Sequence, residues 1–298
     1  MLRDNPGLEE IELSNYGEIF LNPELPGILE CAHRRGVAVT AGNGANLNTA
    51  SGAALEALVK YRMRRIVCSI DGATQETYAK YRIGGNLQAV LENIEKINAL
   101  KLQQSTPYPR LAWQFILFSH NRHEVEAARA MAKRLGMDFT PKLSWNEGDR
   151  RAYRERYGVE FTRGICQQLW TGPQFNWDGR VLGCSRNFWG EFGGNVFADG
   201  VLAAANGEGI EYARGMLLGR NPPREGIPCS TCEQYLSLRE SGRWLTRSEV
   251  RVPRRLQQWA HERGLGGPAV FFALAVLEWT RDKLRRLRDG YFGHHSLL

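Results

Sequence analysis

Residues 65–76, RIVCSIDGATQE, contain a strand, a turn and the start of a helix within twelve positions. The β-branched and apolar run from Arg65 to Asp71 predicts a buried strand. The next residues, Asp71-Gly72-Ala73-Thr74, have the composition of a turn that leads into a helix, and the pattern over 75–81 is helical. A strand followed at once by a helix is the repeating unit of a parallel α/β fold.

The same unit recurs through the first half of the chain. Further strands are predicted at Ile11–Ser14, Val37–Thr40, Leu111–Phe118 and Phe139–Leu143. Further helical patterns cover 24–35, 52–61, 87–102 and 122–135. About five βα units therefore fit the sequence, and the fold class is α/β.

Three of the predicted strands are followed by small, polar or glycine-rich residues. These segments are Asn15–Glu18, Ala41–Asn46 and Ser69–Gly72. Any one of them alone is typical of an ordinary turn, but three in successive units favour a ligand-binding edge, where strand ends gather. Gly42-Asn43-Gly44 also begins a dinucleotide-binding fingerprint, but Leu47 stands at its third glycine position, so that match is weak.

Four stretches together resemble the radical SAM superfamily, over about residues 9–145. They are Tyr16–Pro23 (YGEIFLNP), Asn43-Gly44, Ser69–Tyr78 (SIDGATQETY) and Tyr81–Asn86 (YRIGGN). The resemblance implies a partial TIM-like (β/α) barrel, here over 1–150. In that family a 4Fe–4S cluster binds S-adenosyl-L-methionine (SAM), whose reductive cleavage gives a 5′-deoxyadenosyl radical that abstracts hydrogen from a substrate.

The resemblance also implies which residues contact SAM. The Gly17-Glu18 turn corresponds to the segment that meets the methionine amino group, Ser69 and Asp71 match the strand end near the ribose or carboxylate, and Arg82 is a candidate for the carboxylate. The full predicted cofactor-binding set is Gly17, Glu18, Asn43, Ser69, Asp71 and Arg82.

One departure from the family concerns the radical-generating cluster. Its C-x3-C-x2-C motif normally precedes the matched segment and does not occur in this sequence. Cys31 and Cys68 cannot supply it, because they lie 37 positions apart, one in a helical pattern and one in a strand. We expect both to be small buried thiols, and we expect an N-terminally shortened chain that is inactive alone.

The remaining cysteines have the spacing of a single metal site. Cys229-Ser230-Thr231-Cys232 is a two-residue gap, which places two sulfurs on one side of a tight turn. Cys166 and Cys184 flank a hairpin predicted around Asp178-Gly179, which brings them close together. Spacing alone fits a four-cysteine zinc site at least as well as an iron–sulfur cluster. The predicted ligands are Cys166, Cys184, Cys229 and Cys232.

The pattern C-x12-G-x4-C followed by C-x2-C is similar to the SPASM or shorter twitch domain of radical SAM enzymes. The resemblance implies an auxiliary 4Fe–4S cluster within residues 160–240. No cysteine follows Cys232, so the match is to the one-cluster form. Nearby aromatic residues would shield such a cluster, most of them as plain core: Trp170, Phe175, Trp177, Phe188, Trp189 and Phe192.

Charge and hydropathy limit the partners and the compartment. The net charge is +7, of which residues 239–298 carry +6, so the charge belongs to a basic helical tail, 241–298, and not to a nucleic-acid surface. That tail is a candidate for docking on a membrane surface or a partner, or for packing on the preceding domain. Neither a signal peptide nor a membrane span is evident, so a cytoplasmic location is expected.

The leading hypothesis is a radical SAM/SPASM-type iron–sulfur oxidoreductase that modifies a peptide or small molecule. The resemblance implies a reductant such as ferredoxin or flavodoxin. Two alternatives remain open: a non-catalytic iron–sulfur protein for electron transfer or partner binding, and a structural zinc module on a degenerate barrel.

Overall fold

The structure is a computed structural model that describes residues 8–144 and 163–251. The chain forms two compact units, whose boundary in the sequence falls between Glu160 and Phe161. Most of the predicted tail lies outside the described residues, which contain only its start.

The first unit contains a sheet of five parallel strands in the order β1-β2-β3-β4-β5, so each strand lies beside the next in sequence. The α/β class and the five predicted strands are thereby confirmed. The strands are β1 (Glu10–Glu12), β2 (Ala38–Ala45), β3 (Arg65–Ser69), β4 (Arg110–Leu117) and β5 (Asp138–Leu143).

Within residues 8–144, five α-helices connect these strands, as the apolar periodicity predicts. They are α1 (Leu25–Arg34), α2 (Gly52–Lys60), α3 (Gln75–Tyr81), α4 (Leu87–Gln103) and α5 (Val125–Arg134). Side-chain caps define three of the starts: Ser51, Thr74 and Asn86 accept the backbone N–H of the residue three positions later, at 3.1–3.3 Å. Short 3-10 turns lie at Ile19–Leu21, Leu47–Thr49 and Arg122–Glu124.

The two faces of the sheet differ in chemistry. Alternate strand residues such as Ile66, Cys68 and Trp113 lie in a single hydrophobic core with the helices. Each fully buried Leu or Ile of that core contributes about 1.5–3 kcal/mol to folding. The opposite face, which we call the polar face, carries Glu12, Thr40, Ser69 and Gln114.

One strand differs from its prediction. Strand β2 extends through Ala45, whereas residues 41–46 were expected to follow the strand as a loop. The pairing of β2 with β3 shifts register between Ala41 and Ala45. This irregularity accommodates extra residues of β2 without ending the strand. Gly44, with a φ of +109°, lies inside this irregular segment.

The second unit, from Phe161, contains the predicted hairpin. Strands β6 (Gln174–Phe175) and β7 (Val181–Gly183) pair antiparallel around Asp178-Gly179, which confirms that prediction. Buried residues from the hairpin and helices form a second core, which includes Cys166 and Cys229. Within residues 163–251 the helices are α6 (Arg163–Cys166), α7 (Gln168–Thr171), α8 (Val201–Ala205), α9 (Glu208–Leu217), α10 (Glu233–Ser241) and α11 (Arg247–Arg251), with a 3-10 turn at Pro228–Thr231.

Across the described residues, the helices are too short or too polar to cross a membrane.

Candidate functional site

The carboxyl ends of the parallel strands lie along one edge of the sheet, where the predicted cofactor-binding residues are found. In the segment that follows β1, Gly17 has a φ of +77° and Glu18 is half-buried. The Glu18 carboxylate accepts the Asn46 N–H at 2.6 Å and the Phe20 N–H at 3.3 Å. Glu18 therefore joins the segment after β1 to the segment after β2.

Burial raises the pKa of Glu18 above its ordinary value of 4.5, although the N–H groups of Asn46 and Phe20 oppose the shift. A carboxylate in this setting is poorly solvated. It is therefore an attractive partner for a cationic group such as an ammonium.

Asn43 lies on the same edge and its side chain is exposed. Its backbone N–H donates to Ser14 Oγ at 2.9 Å, and its carboxamide donates to Asn15 Oδ1 at 2.8 Å. These bonds hold the end of β2 against the segment after β1. The structure thus brings Asn43 and Glu18 to neighbouring segments.

Ser69 is buried at the end of β3 and faces Gly44 of β2. A Cβ atom on Gly44 would lie 2.2 Å from Ser69 Oγ and 3.0 Å from Gln114 Nε2, so only glycine fits between these groups. The Ser69 hydroxyl and the Gln114 carboxamide therefore converge on one point above the Gly44 backbone.

Gln114 was not identified from the sequence. It pairs in register with Ser69 on the polar face, is 3% exposed, and its Oε1 has no hydrogen-bond partner among the described residues. Its signal in the sequence is a single polar residue within the apolar strand LAWQFIL. Because side chains alternate along a strand, Gln114 and the residues two positions before and after it face away from the core.

Glu12 was also missed, and its role is structural. Its carboxylate accepts the Gly42 N–H at 2.8 Å, the Ser14 hydroxyl at 2.6 Å and the Thr40 hydroxyl at 3.0 Å. These bonds shape the polar ends of β1 and β2. An acidic residue in a three-residue strand gives no sequence signal for such a role.

Asp71 is completely buried and bonded to protein groups. Arg82 Nε and Nη2 both reach Asp71 Oδ2, at 2.7 and 2.6 Å, and the Ile116 N–H donates to Oδ1 at 2.6 Å. Burial raises the pKa of Asp71, and Arg82 opposes the shift. In this arrangement Asp71 positions Arg82, whose side chain is 23% exposed. The contact of Asp71 with a cofactor stays a prediction.

The four metal-ligand candidates all lie in the second unit as free thiols, Cys166 and Cys229 buried and Cys184 and Cys232 half-buried. Burial raises the pKa of Cys166 to about 12, and repulsion from Cys184 and Cys232 adds to the shift. Burial and the same kind of repulsion from Cys184, Cys166 and Cys232 raise the pKa of Cys229. The four thiols are thus close enough to interact electrostatically.

Their arrangement is not a closed coordination site. Within residues 8–144 and 163–251, no group of three or more Cys, His, Asp or Glu side chains is arranged so that it could hold a metal ion. The type and number of donors nevertheless fit a four-cysteine site, in which a bound metal or cluster would take the place of the thiol protons. The ligand set stays a prediction.

Several side chains lie elsewhere than expected. Trp177, Phe188 and Trp189 are 86%, 55% and 90% exposed, so the prediction that they shield the cysteines or form core is wrong for them. They lie at the hairpin turn and in the loop after β7, where no apolar surface covers them within the described residues. Phe192 is buried in the second core as expected.

The two cysteines of the first unit also differ from each other. Cys68 is buried in β3 as predicted, whereas Cys31 is exposed. Cys31 lies on the outer side of α1, where Arg35 Nη1 contacts its sulfur at 3.1 Å. The pattern of α1 thus points Leu25 and Leu29 toward the core and Cys31 away from it.

The sequence comparisons gave no relative. The sequence matches no protein-family model, and it matches no curated protein sequence. The solved structures did contain a similar fold.

The chain is similar in fold to SuiB from Streptococcus suis. Three crystal structures of SuiB match: SuiB itself (TM-score 0.53, 13% identity), SuiB bound to S-adenosylmethionine (0.56, 13%) and SuiB bound to the precursor peptide SuiA (0.51, 12%). The matches cover 70%, 78% and 74% of this chain and 58%, 62% and 58% of SuiB. The chain therefore spans about three fifths of SuiB, and the likeness shows a shared fold.

Proposed function

We propose that this chain is a radical SAM-type iron–sulfur protein that binds SAM at the carboxyl edge of its sheet and acts on a peptide. The observation that carries the proposal is the fold likeness to SuiB, which has been solved with S-adenosylmethionine and with a precursor peptide. The reaction class is one-electron reductive cleavage of SAM, with the electron from a reductant such as ferredoxin or flavodoxin, and hydrogen abstraction from the peptide, or from a small molecule, by the resulting 5′-deoxyadenosyl radical. Because the sequence contains no C-x3-C-x2-C run, we expect no cleavage by this chain alone.

The contacts at the strand ends support a SAM site. The half-buried Glu18 carboxylate would accept the ammonium of the methionine moiety, since cation and anion meet there away from bulk water. Arg82, held by Asp71, would bind the methionine carboxylate with the part of its guanidinium that stays exposed. The neutral pair Ser69 and Gln114 offers donors and acceptors for hydroxyl or amide groups.

An auxiliary 4Fe–4S cluster on Cys166, Cys184, Cys229 and Cys232 completes the proposal. Such a cluster, when bound, supplies one-electron transfer. The SuiB matches cover 70–78% of this chain, whereas Leu2–Glu160 accounts for 159 of its 298 residues, which supports a likeness that extends into the cysteine-bearing unit. Four interacting thiols within one core are the donors that this cluster requires.

One observation favours a second candidate. The six cysteines of this sequence contain no C-x3-C-x2-C run, so they supply ligands for one four-cysteine cluster and leave two isolated thiols. An iron–sulfur protein that transfers electrons or binds a partner would need no more than that. Production of 5′-deoxyadenosine from SAM by the reconstituted chain with a strong reductant would exclude this second candidate.

SAM binding tests the proposed edge site directly. We expect the chain to bind SAM in isothermal titration calorimetry and the Glu18→Gln variant to bind at least about tenfold more weakly, a loss of about 1.4 kcal/mol. The affinity should also fall as the pH drops through the raised pKa of Glu18, above 4.5, because the protonated carboxyl no longer attracts the ammonium.

The matched control is Glu56→Gln, which changes an exposed glutamate on α2 and should leave the SAM affinity unchanged. Equal SAM affinities of the wild-type and Glu18→Gln proteins would show that the Glu18 carboxylate does not bind SAM. No binding by the wild-type chain would contradict the SAM half of the proposal.

A further inference from the structure

Two buried glutamines of the cysteine-bearing unit have carboxamide atoms without a hydrogen-bond partner among the described residues. Gln174 is 3% exposed, and neither its Nε2 nor its Oε1 has a hydrogen-bond partner among the described residues. Gln167 is 5% exposed, and its Oε1 is likewise unpaired there. Buried polar groups are nearly always paired, because an unpaired one loses its bonds to water without replacement. These two side chains therefore call for a partner.

Both glutamines lie beside predicted metal ligands. Gln167 directly follows Cys166 in the chain. Gln174 of β6 pairs in register with Gly183 of β7, and Gly183 directly precedes Cys184. Paired and consecutive Cα atoms are separated by about 5 and 4 Å, which places the Cα atoms of Gln174 and Cys184 within roughly 9 Å of each other. A glutamine side chain spans about half of that distance, and the cysteine side chain covers part of the remainder.

A third buried glutamine of this unit, Gln168, has a purely structural role. Gln168 is 6% exposed, and its Oε1 accepts the Ser185 N–H at 2.8 Å and the Ser185 hydroxyl at 2.9 Å. Those bonds tie the residue after Cys184 to the helix after Cys166. Gln168 thus has protein partners, whereas the Gln174 carboxamide, which is at least as buried, has none among the described residues.

Sulfur is the partner that the neighbourhood offers. Thiolates and inorganic sulfides accept hydrogen bonds and cannot donate them, so they pair with the Nε2 end of a carboxamide. We propose that Gln174 is a positioning residue whose Nε2–H donates to a sulfur of the auxiliary cluster held by the four cysteines, and that this bond raises the reduction potential of the cluster. The inference rests on the proposed iron–sulfur site.

The sign of the effect follows from charge. One-electron reduction adds negative charge to the cluster, and an N–H donor aimed at sulfur stabilises the reduced form more than the oxidised form. Removal of the donor therefore favours the oxidised cluster and lowers the potential. Arg186, whose charge acts on Cys166 and Cys184, shifts the potential in the same direction and is unchanged in the variants below.

The test uses the full chain reconstituted anaerobically with iron and sulfide, and a redox titration followed by electron paramagnetic resonance. We expect Gln174→Leu to bind the same iron as the wild type and to have a lower potential, by about a tenfold shift in the redox equilibrium, or 59 mV for one electron. Gln88→Leu, which changes an exposed glutamine on α4, should leave the potential at the wild-type value.

The outcomes separate the two proposals. Equal iron and equal potentials in the wild-type and Gln174→Leu proteins would overturn the role of Gln174 and leave the iron–sulfur site standing. A wild-type chain that takes up no iron, or only zinc, would overturn both. If Gln174→Leu does not fold, the wild-type protein is labelled with ¹⁵N in its glutamine carboxamides and measured by electron paramagnetic resonance. We then expect a ¹⁵N coupling to the reduced cluster, and its absence would overturn the proposal.

Discussion

Gly44 is the residue on which the candidate SAM edge most depends. It has a φ of +109°, and its backbone lies against the Ser69 hydroxyl and the Gln114 carboxamide. An L side chain there is strained in its backbone and collides with two polar groups at once. The convergence of β2, β3 and β4 at this point therefore requires glycine.

We predict that Gly44→Ala lowers the free energy of unfolding by about 1–3 kcal/mol, measured by urea denaturation followed by circular dichroism. Gly52→Ala is the control, since Gly52 begins α2 and an added Cβ meets no atom within 4 Å. It should be neutral or slightly stabilising, by about 0.4–1 kcal/mol. A Gly44→Ala protein as stable as the wild type would mean that the strands approach each other less closely than described.

Single residues also show which features could be predicted from the sequence and which could not. The glycine and polar residues after the strands were recognisable because turn chemistry at a strand end is local. The burial of Asp71 and the exposure of Cys31, by contrast, depend on which face of an element meets the core, and one residue in a short pattern does not fix that. The polar Gln114 stands out in its apolar strand, but its pairing with Ser69 was not predictable, because Ser69 lies on another strand, 45 positions away.

At the scale of elements, Glu124 joins the turn after β4 to the start of α3. Its carboxylate accepts the Ala73 N–H at 2.6 Å, the Thr74 N–H at 3.3 Å and the Thr74 hydroxyl at 2.6 Å. An anion at a helix N-terminus pairs with free N–H groups and with the positive end of the helix dipole. Glu124 thus positions the turn that follows Ser69 and Asp71.

Glu124 also gives a pH-dependent stability. Burial acts to raise its pKa, but the hydrogen bonds from Thr74 and Ala73 outweigh burial and hold the pKa below 4.5. A carboxyl whose pKa is lower folded than unfolded stabilises the fold above its unfolded pKa, and this contribution disappears as the pH falls through the folded pKa.

We therefore predict that Glu124→Gln is about 1 kcal/mol less stable than the wild type at neutral pH, and that this difference shrinks below pH 4.5. Urea denaturation across pH 3–7 measures it. Glu126→Gln is the control, because Glu126 is 83% exposed and its variant should differ little from the wild type at any of these pH values. A difference that stays constant with pH would show that the Glu124 carboxylate is not the stabilising group.

Elements were predicted well where their pattern is local. Period-2 and period-3.6 patterns located five strands and five helices because both depend on side chains a few positions apart. The extension of β2 to Ala45 was missed because glycine and asparagine are typical of loops, and the pairing that keeps them in the strand comes from β3.

At the scale of the whole molecule, the chain combines a five-stranded parallel α/β unit with a cysteine-bearing unit. The two have separate cores, and the four predicted ligands all belong to the second. Cysteine spacing named those ligands from the sequence, whereas the choice between zinc and iron–sulfur depends on sulfide and on the surroundings of the sulfurs, which spacing does not encode.

The metal content of the anaerobically purified and reconstituted chain tests this account most directly. We predict about four irons and four sulfides per chain in the wild type and in Cys31→Ser, which changes an exposed thiol, and a loss of most iron in Cys184→Ser and Cys232→Ser. One zinc per chain without iron or sulfide, or iron that survives both cysteine substitutions, would contradict it.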